Sequence, residues 1–141
     1  LRRSRGLGDV YKRQFLERKM SLTLVFRIQA VIFAIFGLGA LLTPALMLGS
    51  FGFEIIKGSA DLMQAISLML LAMAYISWQM PNWASDNLKT VGMFYAVWHV
   101  IYMILSGWQI SMGVFPGGLG GILNQIAPDL LLAILFFWKS R

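Results

Sequence analysis

The chain has 141 residues, of which 58% are hydrophobic and only 13% charged, and its mean hydropathy is +0.71. Soluble domains carry about 25% charged residues, so this composition points to a membrane protein with room for one domain. The lack of cysteine excludes disulfides, Cys-ligated zinc and iron–sulfur centres, and a single histidine excludes a multi-His metal site within one chain.

The formal net charge of +6 is dominated by the first residues. Ser4 to Gln14 read SRGLGDVYKRQ, which resembles one reading frame of a transposase-based sequencing adapter, as on a metagenomic fragment. Residues 1–14 hold Arg2, Arg3, Arg5, Lys12 and Arg13 against Asp9; without them seven basic and five acidic residues remain, a net of +2. Residues 1–19 are therefore expected to be an artefactual or disordered leader, with Met20 the authentic start; Phe15 to Lys19 also reads as native coding sequence. The alternative is a genuine basic tail on anionic lipid. Because the basic excess resides in this leader, no nucleic-acid partner is expected.

A bilayer-spanning helix needs about 20 mostly apolar residues. Four segments qualify, at about 22–43, 59–80, 88–109 and 119–138, and predict an all-α, four-transmembrane-helix antiparallel bundle over residues 20–141. The first is too long for a signal-peptide core and lacks a clear cleavage site; it could extend to Leu48 with a kink at Pro44. Its Ala30, Ala34 and Gly37 share one face, which suits close helix packing or arises by chance in a Gly/Ala-rich helix. Lys and Arg flank the segments unevenly: Arg18, Lys19, Arg27, Lys89, Lys139 and Arg141 lie on one side and only Lys57 on the other. Both termini are expected in the cytoplasm, with Trp78, Trp83 and Trp138 at the inner interface, Trp108 at the outer one, and Arg27 snorkelling.

The connections are short. Pro81–Leu88 makes the second and third helices antiparallel neighbours, while Gly49–Gly58 and Ser111–Gly118 lie outside. The PGGLGG run from Pro116 follows no strand and lacks a Lys-Ser/Thr, so it is a flexible link rather than a phosphate loop.

Within the third helix, Tyr95, His99, Tyr102, Ser106 and Gln109 are spaced by four, three, four and three, which places them on one stripe. A polar stripe facing lipid is costly, so it should face protein or a wet cavity. Counting from the segment midpoints puts His99 and Asp129 at matching depth, which makes them partners. Asp61, Gln64 and Ser67 on the second helix and Gln125 on the fourth extend this to an outward-opening polar cleft. Each has a plainer reading. Asp61 after Ser59 can serve a helix start, and Pro128–Asp129 can begin a helix rather than lie within one. A start at Pro128 leaves about 21 Å of helix, too short for about 30 Å of hydrocarbon, which favours a longer helix kinked at Pro128. A Ser67–His99–Asp129 triad is disfavoured because serines in membrane helices bond their own backbone. No metal-ligand spacing, nucleotide fingerprint or haem motif is present, so no cofactor is expected, no catalytic residue is assigned, and an enzyme activity is disfavoured.

The stretch ADLMQAISLMLLAMAYISW from Ala60, the turn at Pro81 and APDLLLAILFFW from Ala127 resemble the small four-helix bacterial membrane proteins called DoxX-like and related domains of unknown function. The resemblance covers residues 20–141 in length, topology and helix texture, and implies a bacterial inner-membrane protein with a role in membrane redox complexes. The Gly/Glu pattern typical of the second helix of that family is not present, so no functional residue is carried across. Two functions remain open. One is an accessory or scaffold subunit, oligomeric or bound to a membrane-complex partner, whose polar stripe fixes helix packing. The other is a binding or transport module for a small polar or amphipathic ligand, with a cleft around His99 and Asp129.

Overall fold

The computed structural model describes residues 21–114 and 118–141, and among them every regular element is helical. The leader lies outside the described residues, as does the start of the PGGLGG link. Helix α1 spans Leu22–Leu42, capped by Ser21, whose side chain accepts a hydrogen bond from the Leu24 amide at 3.2 Å. It stops before Pro44, which disfavours helical backbone at Thr43, and the Thr43 hydroxyl donates to the Gly39 carbonyl at 2.9 Å. Pro44 opens a separate short helix, α2 (Pro44–Ser50), so the expected kink is a break.

Helix α3 spans Ser59–Ala84, entered through Gly58 at φ +85°, and it passes through Pro81. The chain turns four residues later than the sequence suggests, in a single 3-10 turn over Ser85–Asn87. A proline removes one backbone bond, here to the Ser77 carbonyl, but leaves the last turn free to continue. Helix α4 spans Leu88–Ser111 and α5 spans Gly118–Ser140. Pro128 lies inside α5, which settles its two readings in favour of the longer helix.

The helices run alternately up and down. The near end of the bundle holds Leu22, the Ser85–Asn87 turn and Ser140; the far end holds Leu42, Ser59, Ser111 and Gly118. Helix α1 packs along α3, and α4 along α5, so the molecule is two helical hairpins side by side. The expected pairing of α3 with α4 is thereby corrected: the tight turn reverses the chain, but α3 gives its packing face to α1.

Small residues bring α1 onto α3. A Cβ at Gly37 would lie 2.9 Å from the Leu71 side chain and 3.2 Å from its backbone nitrogen, and Ala30 and Ala40 are buried on the same helix. The two hairpins join in the near half, around a core of Val25, Phe26, Tyr95, Ala96, Leu132 and Phe136. Phe26 meets Phe136 edge-on at 4.8 Å and Tyr95 edge-on at 5.4 Å, the favoured geometry for aromatic quadrupoles.

Apolar surface is exposed along the whole length: on α4, Phe94 and Trp98 before His99 and Ile101, Ile104, Leu105 and Trp108 past it. Elsewhere Ile35, Leu42, Leu46 and Met69 are also more than half exposed, a surface that water would drive together. Two helical stretches, Leu22–Leu42 and Ser59–Ser111, are long and apolar enough to cross a membrane, the second containing both α3 and α4.

Candidate functional site

The polar centre sits where the hairpins meet. His99 and Asp129 are each eleven residues from the near end of their helices, about 16 Å along the axis, so antiparallel packing sets them level. His99 Nδ1 lies 2.5 Å from Asp129 Oδ1, and the two side chains are 2% and 18% exposed. On its other side His99 Nε2 lies 3.0 Å from Gln29 Oε1. Gln29 Nε2 in turn donates to Ser77 Oγ at 2.7 Å. The result is one hydrogen-bonded chain, Ser77–Gln29–His99–Asp129, that takes one side chain from each of the four long helices.

The direction of each bond fixes the protons. With its amide nitrogen given to Ser77, Gln29 offers His99 its carbonyl oxygen, so Nε2 must carry a hydrogen. One further proton then lies between Nδ1 and the carboxylate. Whether that proton sits on nitrogen or oxygen, the pair is neutral as a whole. A lone ionised Asp buried between helices would cost several kcal/mol, whereas a neutral, hydrogen-bonded pair avoids most of that cost. The imidazole also stacks on Phe136, with ring centres 6.0 Å apart and planes 14° off parallel.

Gln29 and Ser77 were not among the candidates read from the sequence. The signal was available: Gln29 is a lone amide seven residues into α1, and Ser77 lies seven residues before the end of α3. Counting depth on those two helices, as for His99 and Asp129, pairs them. Ending α3 at Met80 sets Ser77 three residues from its end instead of seven, off the level of Gln29.

The other candidates divide. Tyr95 is buried in the aromatic core, stacked on Phe136 at 5.5 Å, just on the near side of His99. Tyr102, one turn past His99, is 40% exposed, and its hydroxyl accepts a 3.4 Å bond from Gln125 Nε2. Ser106 is buried, while Gln109 is half-buried about 15 Å beyond His99.

The α3 candidates do not join the site. Ser67 is buried but donates to the Gln64 carbonyl, and it lies ten residues, about 15 Å, beyond Ser77. Gln64 is exposed and donates to the Leu41 carbonyl at 3.2 Å, one of the carbonyls that the end of α1 leaves without a helical partner. Asp61 is exposed in the first turn of α3, where a negative charge suits the helix N-terminus. The expected cleft wall of Asp61, Gln64 and Ser67 is thus replaced by contacts that hold α3 to itself and to α1. The Ser67–His99–Asp129 triad is not assembled, and Gln29 stands between His99 and Ser77. Among the described residues, no three His, Cys, Asp or Glu side chains gather as a metal ion would require.

Cations and aromatic rings collect at the near end. The Arg27 guanidinium lies 4.8 Å over the Trp78 ring, Lys139 Nζ 3.8 Å over Trp138, and Arg141 4.1 Å over Phe137. Lys89 donates to the Arg141 carbonyl at 3.0 Å, tying the start of α4 to the end of α5. The chain matches no family model, no curated protein and no solved structure.

Proposed function

We propose that the chain is a small polytopic membrane protein that crosses the bilayer four times and serves as an accessory or scaffold subunit. The observation that carries this reading is the Ser77–Gln29–His99–Asp129 chain, which uses its central polar groups on one another and clamps two hairpins together. Between helices in lipid there is little hydrophobic driving force, so such polar bonds and close packing supply the cohesion. The exposed apolar surface supports lipid on all sides, and α3, α4 and α5 have lengths of 26, 24 and 23 residues, enough to cross. Arg27, Lys89, Lys139 and Arg141 at the near end support cytoplasmic termini, as in an inner membrane.

The test is extraction of the full chain in native-lipid polymer discs. A scaffold brings a second copy or a membrane partner with it, and Gln29→Leu releases that companion while insertion is retained. A lone chain, indifferent to Gln29→Leu, would contradict the reading.

A second reading, a binding module for a small amphipathic ligand, is favoured by one observation. His99 uses both nitrogens within the protein, but Asp129 Oδ2 has no hydrogen-bond partner among the described residues, beside the exposed Tyr102.

A further inference from the structure

Among the described residues, four cations lie toward the near end, and three of them are engaged on or beside α5. Lys89 donates to the Arg141 carbonyl, Lys139 lies over Trp138, and Arg141 lies over Phe137. Arg27 is placed differently. It sits five residues inside α1, about 7.5 Å from the near end, and its guanidinium lies over Trp78 of the neighbouring helix. That contact holds the guanidinium but uses none of its five N–H donors. Among the described residues no carboxylate comes within ion-pair distance of it. In a bilayer, α1 with its 21 residues, about 31 Å, just matches the hydrocarbon, so this unpaired cation falls inside the edge and calls for an anion.

The register of the α1–α3 hairpin brings neutral donors beside it. Gln29 bonds Ser77 and Arg27 lies over Trp78, so the antiparallel helices set positions 27 and 78 level. One turn nearer the end, Thr23 is level with Asn82, and each shares a helix face with the residue four positions away, Arg27 or Trp78. The Thr23 hydroxyl has no hydrogen-bond partner among the described residues. Asn82 gives one amide hydrogen to Gln79 Oε1 at 3.0 Å and keeps the other. Thr23 is half-buried, while Arg27 and Asn82 are exposed, so the group opens on the surface. On the other side of Arg27, Val31, Ile35 and Leu38 continue its stripe along α1 and are all exposed.

We propose that the near end of the α1–α3 hairpin binds the phosphodiester of one anionic phospholipid. The Arg27 fork takes two phosphate oxygens, Thr23 and Asn82 donate to the head from the level above, and an acyl chain runs down Val31, Ile35 and Leu38. The donor set selects the ligand, because a planar guanidinium matches a phosphate bidentately and the hydroxyl and amide add donors without adding charge. The surroundings select its net charge. Arg27, Lys89, Lys139 and Arg141 stand at this end against Asp86 alone among the described residues, a field that favours an anionic head over a zwitterionic one. The inference goes beyond the scaffold reading but rests, as that reading does, on α1 and α3 lying in lipid.

The probes are dioleoylphosphatidylglycerol, dioleoylphosphatidylcholine and dioleoylglycerol, titrated onto the full chain in detergent and counted by native mass spectrometry. The expected result is one saturable phosphatidylglycerol, bound about fivefold more tightly than phosphatidylcholine, and no saturable dioleoylglycerol. Arg27→Gln should weaken phosphatidylglycerol by about twentyfold or more, the worth of a charged hydrogen bond. Arg27→Lys keeps the charge but not the fork and should recover only part of that loss. Thr23→Val and Asn82→Leu should each cost about threefold to tenfold. Lys139→Gln removes the same charge away from the site and should cost no more than about fivefold. Basic residues of the leader attract lipid equally in parent and variants. Equal affinity for the two phospholipids, equal losses from Lys139→Gln and Arg27→Gln, full affinity in Arg27→Lys, or unchanged affinity in both Thr23→Val and Asn82→Leu overturns the proposal. Flotation with phosphatidylcholine vesicles after a carbonate wash separates the failures. A chain that does not float overturns the membrane reading and this site with it; one that floats without a phosphatidylglycerol site overturns the site alone.

Discussion

Gln29 and His99 lie 70 residues apart in the chain, and their side chains meet at 3.0 Å in the middle of the molecule. Helix α1 therefore does more than pack on α3. Its single amide reaches across to the second hairpin, and its other end holds Ser77. Replacing Gln29 with Leu leaves His99 Nε2–H without an acceptor and is expected to destabilise the fold by about 1–2 kcal/mol, toward the upper end for interhelical bonds in membranes. Gln29→Glu supplies the acceptor again and should recover part of the loss. Reversible unfolding in bicelles provides the comparison; equal stability for Gln29→Leu and the parent would contradict the account.

His99 and Asp129 are expected to be coupled. In a double-mutant cycle with His99→Ala and Asp129→Asn, the interaction energy should be about 1–2 kcal/mol, because either change alone strands a buried group. Additive effects within about 0.3 kcal/mol would mean that the two side chains act independently.

Much of this arrangement was legible in the sequence. The depth count that paired His99 with Asp129 works because both helices have regular rise and their near ends coincide at Leu88 and Ser140. The spacing of Ala30, Ala34 and Gly37 showed a face suited to close packing, but not that α3 would be the helix packed there. What was not readable is where a proline ends a helix. Placing the turn at Pro81 shortened α3 by four residues and set Ser77 three residues from its end instead of seven, which hid its level with Gln29. The pairing of hairpins was also hidden, since a short loop fixes which helix comes next but not which neighbour it packs against. The break at Thr43 depends on local backbone geometry that the apolar pattern of residues 22–48 does not record.

Close approach at Gly37 gives a second class of prediction. A methyl group there must displace Leu71 and press on its backbone, so Gly37→Ala is expected to cost about 1–3 kcal/mol. Gly49, with open space around its Cβ position, serves as the control and should cost less than about 1 kcal/mol. Thermal unfolding in the same lipid discs ranks the two; a reversed order would show that α1 and α3 are not in contact at this point.

Phe26 lies fully buried between Tyr95 and Phe136 and joins the hairpins on the near side of the polar chain. Phe26→Ala opens a buried void, at an expected cost of about 3 kcal/mol. Phe26→Leu retains most of the volume and should cost roughly half as much. Insensitivity of unfolding to Phe26→Ala would place the junction of the hairpins elsewhere.

The absence of native cysteine makes topology directly readable. Single cysteines at Ser85 in the near-end turn and at Gly52 in the far-end connection should label from opposite faces of sealed vesicles with an impermeant maleimide. Four crossings with cytoplasmic termini predict that Ser85→Cys reacts from the cytoplasmic side and Gly52→Cys from the outer side. Labelling of both from one face would contradict four crossings.

The central claim is that one proton shared by His99 and Asp129, together with the Gln29 bond, locks the four helices around a neutral polar centre. Solid-state ¹⁵N–¹³C distance measurement on the histidine-labelled protein in lipid tests it most directly, since only one imidazole contributes. The account predicts a protonated Nε2 and an Asp129 carboxyl carbon within about 3.5 Å of Nδ1, consistent with hydrogen-bond geometry. A freely tautomerising imidazole with no carboxyl carbon nearby would contradict it.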